Sequence, residues 1–270
     1  FIQYPFTNLH LAIRGLNIKF QPIVLASSNP ALIGETQMLT ADINGNRSRP
    51  FPGTVGTCPF CHSEMIPRCG EVRVHHWAHK SKADCDHWWE PETDWHRNWK
   101  NEFPLRWQER VSSDETTGER HIADIYTLAG LTVEVQHSHL DPEERRAREA
   151  FYKNMLWIVD GSRLDGNRKN ITEWRNKMSE IIQGQKRTNL FLTDKAEEIF
   201  PKDWLKSPAP VCFDYMGPKA DFSSEPQPLF LLYPGTVHGR HLVEPLSRDG
   251  LLRTILSEKL SGESIRNVMQ

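Results

Sequence analysis

Residues 120–138 decide the fold of this chain. They read Arg120-His-Ile-Ala-Asp124-Ile-Tyr-Thr-Leu-Ala-Gly130-Leu-Thr-Val-Glu134-Val-Gln136-His-Ser138. Two runs rich in β-branched and apolar residues stand on either side of an Ala-Gly pair, which is typical of a strand, a tight turn and a second strand. We therefore predict antiparallel strands over 120–128 and 131–138, with Val133 and Val135 facing a core.

The length of the turn sets which acidic side chains meet. Because side chains two residues apart on a strand share a face, Glu134 and Gln136 project together. A two-residue loop would place Asp124 on the opposite face, whereas a three-residue loop from Ala129 to Leu131 pairs Asp124 with Gln136. We predict the three-residue loop or an equivalent bulge, because it brings the two carboxylates together and because Gly130 suits the left-handed position of such a loop.

The flanking sequence predicts a mixed α/β sheet. Trp95, Trp99 and Phe103 recur at helical spacing, and Asp141 followed by Pro142 is typical of a helix start. The predicted order is a helix at 92–103, strands at 120–128 and 131–138, a helix at 141–154 and a buried strand at 156–159. Further predicted elements are strands at 11–20, 21–26, 189–193, 211–213 and 229–233, a hairpin at Asn44-Gly45, a linker loop at 47–57, and helices at 171–183 and near the C-terminus.

The composition is that of a soluble protein with no general attraction to nucleic acid. Charged residues make up 25% of the chain and no apolar run is long enough to span a bilayer, so we expect no membrane association. No N-terminal secretory signal is visible among these residues. The formal net charge of -2 means that nucleic-acid binding would depend on a local basic patch, and the best one is Arg145, Arg146, Arg148 and Lys153.

Four of the five cysteines lie close together and are interleaved with histidines. An odd number of cysteines mixed with histidine indicates a metal site in a reducing compartment, so we expect a cytoplasmic protein. The zinc ligands that we prefer are Cys58, Cys61, His79 and Cys85, with His76 as the main competitor for the third position and Cys69 left out. The alternative is a set of reduced core cysteines and surface histidines. With all four positions filled, a zinc site here would be closed and structural.

Asp124 and Glu134 predict a second, different metal site. Carboxylates from adjacent strands suit Mg²⁺ or Mn²⁺, and such an ion polarises a phosphodiester and neutralises the charge that develops on it. The helix predicted before these strands carries Glu92, His96 and Lys100 on one stripe. These three residues either approach the ion or form an exposed salt-bridged face. The alternative for Asp124 and Glu134 is that they belong to an ordinary solvent-facing strand surface.

Together these motifs resemble the competence protein CoiA-like family, whose members are assigned to the PD-(D/E)xK nuclease superfamily. The matching residues are Cys58-Pro-Phe-Cys61, the region of Arg68 and Gly70, His76-Trp-Ala-His79, Cys85, Glu92, His96, Lys100, Ala123-Asp124, Glu134-Val-Gln136, Ser138, Arg148, Tyr152 and Leu156-Trp-Ile158. The resemblance implies a restriction-endonuclease-like core with Asp124 and Glu134 as metal ligands. Gln136 stands where the superfamily has lysine and supplies no positive charge, which leaves that role to Lys100 or Lys153.

We therefore expect a metal-dependent nuclease that hydrolyses single- or double-stranded DNA in bacterial DNA processing, recombination, competence or anti-phage defence. In it, Asp124 and Glu134 hold the ion, Gln136 orients the attacking water, and Glu92 and His96 assist. Other expected partners are recombination or defence proteins. The rival functions are a non-catalytic zinc-stabilised DNA-binding adaptor, which the missing lysine favours, and a zinc-stabilised protein-interaction module. The predicted regions are a β-hairpin region (1–57), a zinc-binding module (58–90), a nuclease core (91–200) and a C-terminal extension of unknown role (201–270).

Overall fold

The computed structural model describes residues 37–71, 74–81, 84–88, 92–163, 177–183, 186–215 and 229–257. Their strands form two sheets, of which one is built from residues 37–79 and the other from residues 108–246. No helix in this described part of the chain is long and apolar enough to cross a membrane. The strands predicted at 11–20 and 21–26 lie outside the described residues.

The first sheet has six short antiparallel strands. They are β1 (Gln37–Met38), β2 (Ala41–Ile43), β3 (Asn46–Ser48), β4 (Gly56–Thr57), β5 (Glu64–Arg68) and β6 (His76–His79), in the spatial order β1-β6-β5-β4-β2-β3. The turn between β2 and β3 has positive φ at Asn44 (50°) and Gly45 (79°), so the predicted hairpin is confirmed. The linker predicted at 47–57 is wrong at both ends, because those ends belong to β3 and β4.

The second sheet has nine strands and is mixed, as predicted. They are β7 (Gln108–Ser113), β8 (Arg120–Tyr126), β9 (Thr132–Gln136), β10 (Met155–Asp160), β11 (Ser179–Gln183), β12 (Lys186–Thr193), β13 (Val211–Asp214), β14 (Leu229–Leu232) and β15 (His241–Leu246), in the spatial order β7-β8-β9-β10-β13-β14-β15-β12-β11. β10 is parallel to its neighbours β9 and β13, and the other described pairs are antiparallel.

The sheets cross two of the predicted region boundaries. Strands on both sides of residue 57 belong to the first sheet. Strands β13 to β15, which lie beyond residue 200, complete the same sheet as the predicted core. The first sheet therefore spans the boundary predicted at residue 57, and the second sheet spans the boundary predicted at residue 200.

Four α-helices lie entirely within the described residues. They are α1 (Asp94–Lys100), α2 (Pro142–Tyr152), α3 (Ala196–Ile199) and α4 (Arg248–Leu256). Thr93 caps α1 by accepting a hydrogen bond from the His96 backbone N–H at 3.2 Å. Asp141 caps α2 as predicted, with its side chain 2.7 Å from the Glu143 backbone nitrogen. α1 is shorter than the predicted helix and ends before Phe103.

The helix predicted at 171–183 is wrong at its C-terminal end, although Lys177 is helical. Residues 179–183 form β11, which pairs antiparallel with β12, and residues 171–176 lie outside the described residues. A short run of apolar residues satisfies a helical and a strand pattern equally, so pairing with a neighbouring strand decided the outcome.

The two faces of the second sheet bury separate apolar clusters. Val133 and Val135 of β9 pack in one cluster with Trp95 and Trp99 of α1, as predicted. Both tryptophans also donate their indole N–H to the buried carboxylate of Asp214, at 3.1 and 3.0 Å. This packing fixes α1 against β9 and so sets the position of the polar residues that α1 carries.

Candidate functional site

A cluster of three cysteines and one histidine lies in the first sheet. Cys58 and Cys61 stand in the loop between β4 and β5, which is closed by a hydrogen bond from the Cys58 N–H to the Ser63 carbonyl at 2.9 Å. His79 ends β6, and Cys85 follows it. The four ligand atoms all lie within 4.8 Å of one another. The Cys61 sulfur is 3.2 Å from His79 Nε2, and the sulfurs of Cys58 and Cys85 are 3.8 Å apart.

These distances fit a tetrahedral ion. Zinc–sulfur bonds of about 2.3 Å at tetrahedral angles place two sulfurs about 3.8 Å apart, which is the separation that Cys58 and Cys85 show. The cluster could therefore hold a metal such as zinc. His79 rather than His76 belongs to the cluster, because its ligand atom lies within 4.8 Å of the three sulfurs. Cys69 is outside the cluster, as expected.

The register of β8 and β9 differs from the prediction by two residues. Ile125 lies opposite Val133, and continuing this register places Asp124 opposite Glu134 rather than opposite Gln136. The loop has three residues as predicted but begins one residue earlier, because Thr127 closes it. The Thr127 N–H donates to the Leu131 carbonyl at 3.0 Å, and the Leu131 N–H donates to the Thr127 hydroxyl at 3.1 Å. A shift of two residues leaves every side chain on its predicted face.

The structure brings the carboxylates of Asp124 and Glu134 together between their strands. Glu134 Oε1 accepts the backbone N–H of Asp124 at 3.1 Å, and Asp124 Oδ2 accepts the backbone N–H of Val135 at 3.0 Å. Each carboxylate therefore binds the backbone of the opposite strand at the point where the two strands diverge. Gln136 lines the same pocket, and its amide donates to Ser138 at 3.2 Å.

The polar stripe of α1 points into this pocket and is buried. His96 Nε2 and Asp124 Oδ2 are hydrogen-bonded at 3.0 Å. Lys100 Nζ lies 2.6 Å from Glu92 Oε1 and 3.4 Å from Asp124 Oδ1. Lys100 is only 1% exposed and His96 only 5%, so the alternative of an exposed salt-bridged face is excluded.

Two further charged residues complete the pocket. Glu109 of β7 accepts from Lys100 Nζ at 3.0 Å, and Arg148 of α2 donates to Glu134 Oε2 at 3.0 Å. Sequence reasoning missed Glu109, which carries no local motif and has an unusual positive φ of 49°. Sequence reasoning placed Arg148 in a basic patch for nucleic acid and did not predict its pairing with Glu134.

The arginines predicted to bind nucleic acid are instead structural in this fold. Arg148 is 5% exposed and also donates to the Trp88 carbonyl at 2.5 Å. Arg145 is equally buried, donates to the Asp203 carbonyl, and has its guanidinium 5.5 Å from the ring centre of Trp204. Neither is presented to a phosphate on the helix surface, so this prediction is wrong for both. Lys153 is exposed, and its ammonium lies 3.1 Å from Asp114.

The charges of the pocket perturb one another strongly. Burial, followed by the nearby carboxylate of Asp124, raises the pKa of Glu134 to about 8. Burial would raise the pKa of Asp124 as well, but His96 and Lys100 outweigh it and hold that pKa well below its usual range. Burial would lower the pKa of His96, yet Asp124 and Glu92 raise it to about 9. Four carboxyl groups thus compete for the cations of one pocket.

The same residues offer ligand atoms to a divalent ion. Ligand atoms of Glu92, His96 and Asp124 lie within 4.8 Å of one another and could hold a metal. Glu92 Oε2 and His96 Nδ1 are buried and have no hydrogen-bond partner among the described residues, and a buried polar atom left in that state is costly. These side chains line one pocket together with Glu134. The donor set therefore fits an ion that prefers oxygen ligands.

The fold and the two clusters define a mixed α/β protein in which a cysteine–histidine cluster that could hold a metal lies beside a buried carboxylate pocket. Residues 56–87 match the family model described as "Competence protein CoiA, N-terminal domain". The match spans all four residues of the cysteine–histidine cluster, supports the resemblance to the CoiA-like family and suggests a competence-related function. Comparison with curated proteins and with solved structures finds no match.

Proposed function

We propose that this protein is a metal-dependent nuclease that hydrolyses phosphodiester bonds in DNA during recombination, competence or defence. The observation that carries the proposal is the meeting of Asp124 and Glu134, from adjacent strands, with Glu92, His96 and Lys100 in one buried pocket. Perturbed acidic and basic groups that converge in a cleft are a common mark of a catalytic centre. The order of elements supports the proposal too, because α1, β8, β9, α2 and β10 follow one another as the sequence predicts for a mixed α/β core, with β7 added between α1 and β8.

Asp124 and Glu134 would hold the ion, with the unpaired oxygen of Glu92 and a nitrogen of His96 as further donors. A bound Mg²⁺ or Mn²⁺ supplies Lewis acidity and neutralises charge on the phosphoryl group. Arg148 holds one oxygen of Glu134, which leaves the other directed at Asp124. These contacts set the two carboxylates in place before any substrate arrives.

Lys100 is the cation that best replaces the lysine missing at position 136. Its ammonium is 3.4 Å from Asp124 Oδ1, whereas Lys153 pairs with Asp114 on the surface. A buried ammonium at this distance stabilises negative charge that develops on a phosphoryl oxygen next to Asp124. Gln136 carries both a donor and an acceptor and would orient the attacking water.

The test is incubation of the zinc-loaded protein with plasmid and with single-stranded DNA, in Mg²⁺, in Mn²⁺ and without either ion. We expect cleavage that needs the divalent ion and is lost in Asp124→Asn and in Glu134→Gln. Asp42→Asn is the matched control, because Asp42 is a partly exposed acid on β2 paired with Arg47. Cleavage that survives both pocket substitutions would refute the proposal.

One observation favours a second function, a DNA-binding adaptor without turnover. Lys100 and Arg148, the two permanent cations of the pocket, are already engaged by carboxylates. The adaptor predicts DNA binding that weakens with salt and no cleavage product in either metal ion. Absence of any salt-sensitive DNA binding would instead favour the protein-interaction module.

A further inference from the structure

The cysteine–histidine cluster and the carboxylate pocket share one buried residue, Glu109. Glu109 is 4% exposed and belongs to β7 of the second sheet. It accepts hydrogen bonds from the backbone N–H groups of Leu39 and Thr40 at 2.9 and 2.8 Å and from the Thr40 hydroxyl at 2.5 Å. Its Oε1 also accepts from Lys100 Nζ at 3.0 Å. One carboxylate therefore holds a turn of the first sheet and an ammonium of the pocket.

That turn continues directly from the cysteine–histidine cluster. Met38 precedes Leu39 and lies opposite Trp77 in the β1–β6 pair, and β6 ends at the ligand His79. The Met38 sulfur is 3.8 Å from the sulfur of Cys58. A continuous series of contacts therefore leads from Cys58 through Met38 to residues 39–40 and from there to Glu109.

Glu109 also competes with two other acids for the ammonium of Lys100, which it binds through Oε1, the oxygen that accepts from the Leu39 N–H. The ammonium of Lys100 is shared among Glu92, Glu109 and Asp124, at 2.6, 3.0 and 3.4 Å. Two of these three acids, Glu92 and Asp124, are the residues that would bind the divalent ion. A cation bound there would repel the ammonium and strengthen its pairing with Glu109, which also holds the turn at residues 39–40.

We propose that Glu109 is a positioning residue through which the zinc site and the divalent-ion site bind their metals cooperatively. Zinc keeps the turn at residues 39–40 in place, the turn holds Glu109, and Glu109 offsets the repulsion between Lys100 and a divalent ion at Asp124. The inference rests on the proposed function only in placing the divalent ion at Asp124. Because coupling between binding sites is reciprocal, Mg²⁺ must raise the affinity for zinc by the factor by which zinc raises the affinity for Mg²⁺.

The experiment measures zinc affinity by competition with a fluorescent zinc indicator, with and without saturating Mg²⁺. For the unmodified protein we expect Mg²⁺ to tighten zinc binding about fivefold or more. Asp124→Asn removes the divalent-ion ligand and should abolish the effect. Glu109→Gln should abolish it too, because the amide neither attracts the ammonium nor accepts all the donors that Glu109 binds.

Glu64→Gln is the matched control, since Glu64 is an exposed acid of the first sheet that also binds a lysine, Lys80, at 2.8 Å. It should keep the full Mg²⁺ effect. Thr40→Val provides a second test if Glu109→Gln does not fold. It removes only the hydroxyl contact and should reduce the effect without changing Mg²⁺ binding in the absence of zinc.

The two proposals fail in different ways. Direct titration of Mn²⁺ by electron paramagnetic resonance reports whether the pocket binds an ion at all. If Mn²⁺ binds but zinc affinity is the same with and without Mg²⁺, or if Glu109→Gln keeps the full effect, the coupling is refuted and the nuclease proposal stands. If no ion binds at Asp124, both are refuted.

Discussion

The buried pair of Arg148 and Glu134 makes a quantitative prediction about stability. Both side chains are at least 94% buried, and the guanidinium also satisfies the carbonyl of Trp88. Arg148→Met keeps much of the apolar stem but leaves Glu134 without its counter-charge. Breaking a buried pair in this way costs about 3–5 kcal/mol. At about 2–4 °C per kcal/mol for a protein of this size, the melting temperature should fall by roughly 10 °C.

The loss of stability in Arg148→Met should depend on pH. The pKa of Glu134 is raised by burial and by Asp124 from an ordinary 4.5 to about 8, and Arg148 acts against that rise. The fold therefore binds this proton more tightly than the unfolded chain does, so the stability that protonated Glu134 contributes is lost as the pH rises from 4.5 through about 8. Removing Arg148 raises the pKa further, so the deficit of the variant should be larger at about pH 9 than at about pH 6.

Urea unfolding of the zinc-loaded protein, without Mg²⁺ or Mn²⁺, measures this deficit. Arg146→Met is the matched control, because Arg146 lies on the same helix, is largely exposed and meets Glu143 only at 4.0 Å; it should change stability by less than about 1 kcal/mol. The double variant Arg148→Met, Glu134→Gln should recover part of the loss, since no charge is left unpaired. The reasoning would be refuted if the deficit of Arg148→Met were the same at both pH values. It would also be refuted if the double variant lost as much stability as Arg148→Met and Glu134→Gln lose separately, added together.

Three further predictions concern other parts of the fold. Cys61→Ser should lower the zinc content measured by atomic absorption, whereas Cys69→Ser, outside the cluster, should leave it unchanged; equal zinc in both would contradict the ligand set. Gly130→Ala should destabilise the protein by about 1 kcal/mol in urea unfolding, because Gly130 has a φ of 78° that a side chain disfavours. Asp214→Ala should cost about 1–3 kcal/mol for each of the two indole N–H groups of α1 that lose their acceptor, and a neutral effect would show that α1 is held by packing alone.

Local signals in the sequence predicted the elements whose causes are themselves local. The α2 start at Asp141 and Pro142 needs only a capping side chain and a residue without an N–H. The Asn44-Gly45 hairpin needs only two residues that tolerate positive φ. The spacing of Cys58 and Cys61, with His79 and Cys85, was likewise enough to predict which four residues come together in a cluster that could hold a metal.

Local sequence patterns did not predict the features that depend on contacts between residues far apart in the chain. The register that sets Asp124 opposite Glu134 depends on the hydroxyl of Thr127 closing the loop, and a sequence pattern does not show which polar group will do so. Arginines on a helix are usually exposed, so the burial of Arg145 and Arg148 follows only from the elements that cover α2. Glu109 has no neighbouring motif, and its importance comes from residues 39–40, which are remote in sequence.

The most direct test is anomalous diffraction from a crystal of the zinc-loaded protein soaked in Mn²⁺. We predict one Mn²⁺ peak within bonding distance of carboxylate oxygens of both Asp124 and Glu134, separate from the zinc at Cys58. A Mn²⁺-saturated crystal with no peak between these two carboxylates would contradict the assignment of this pocket as a catalytic metal site.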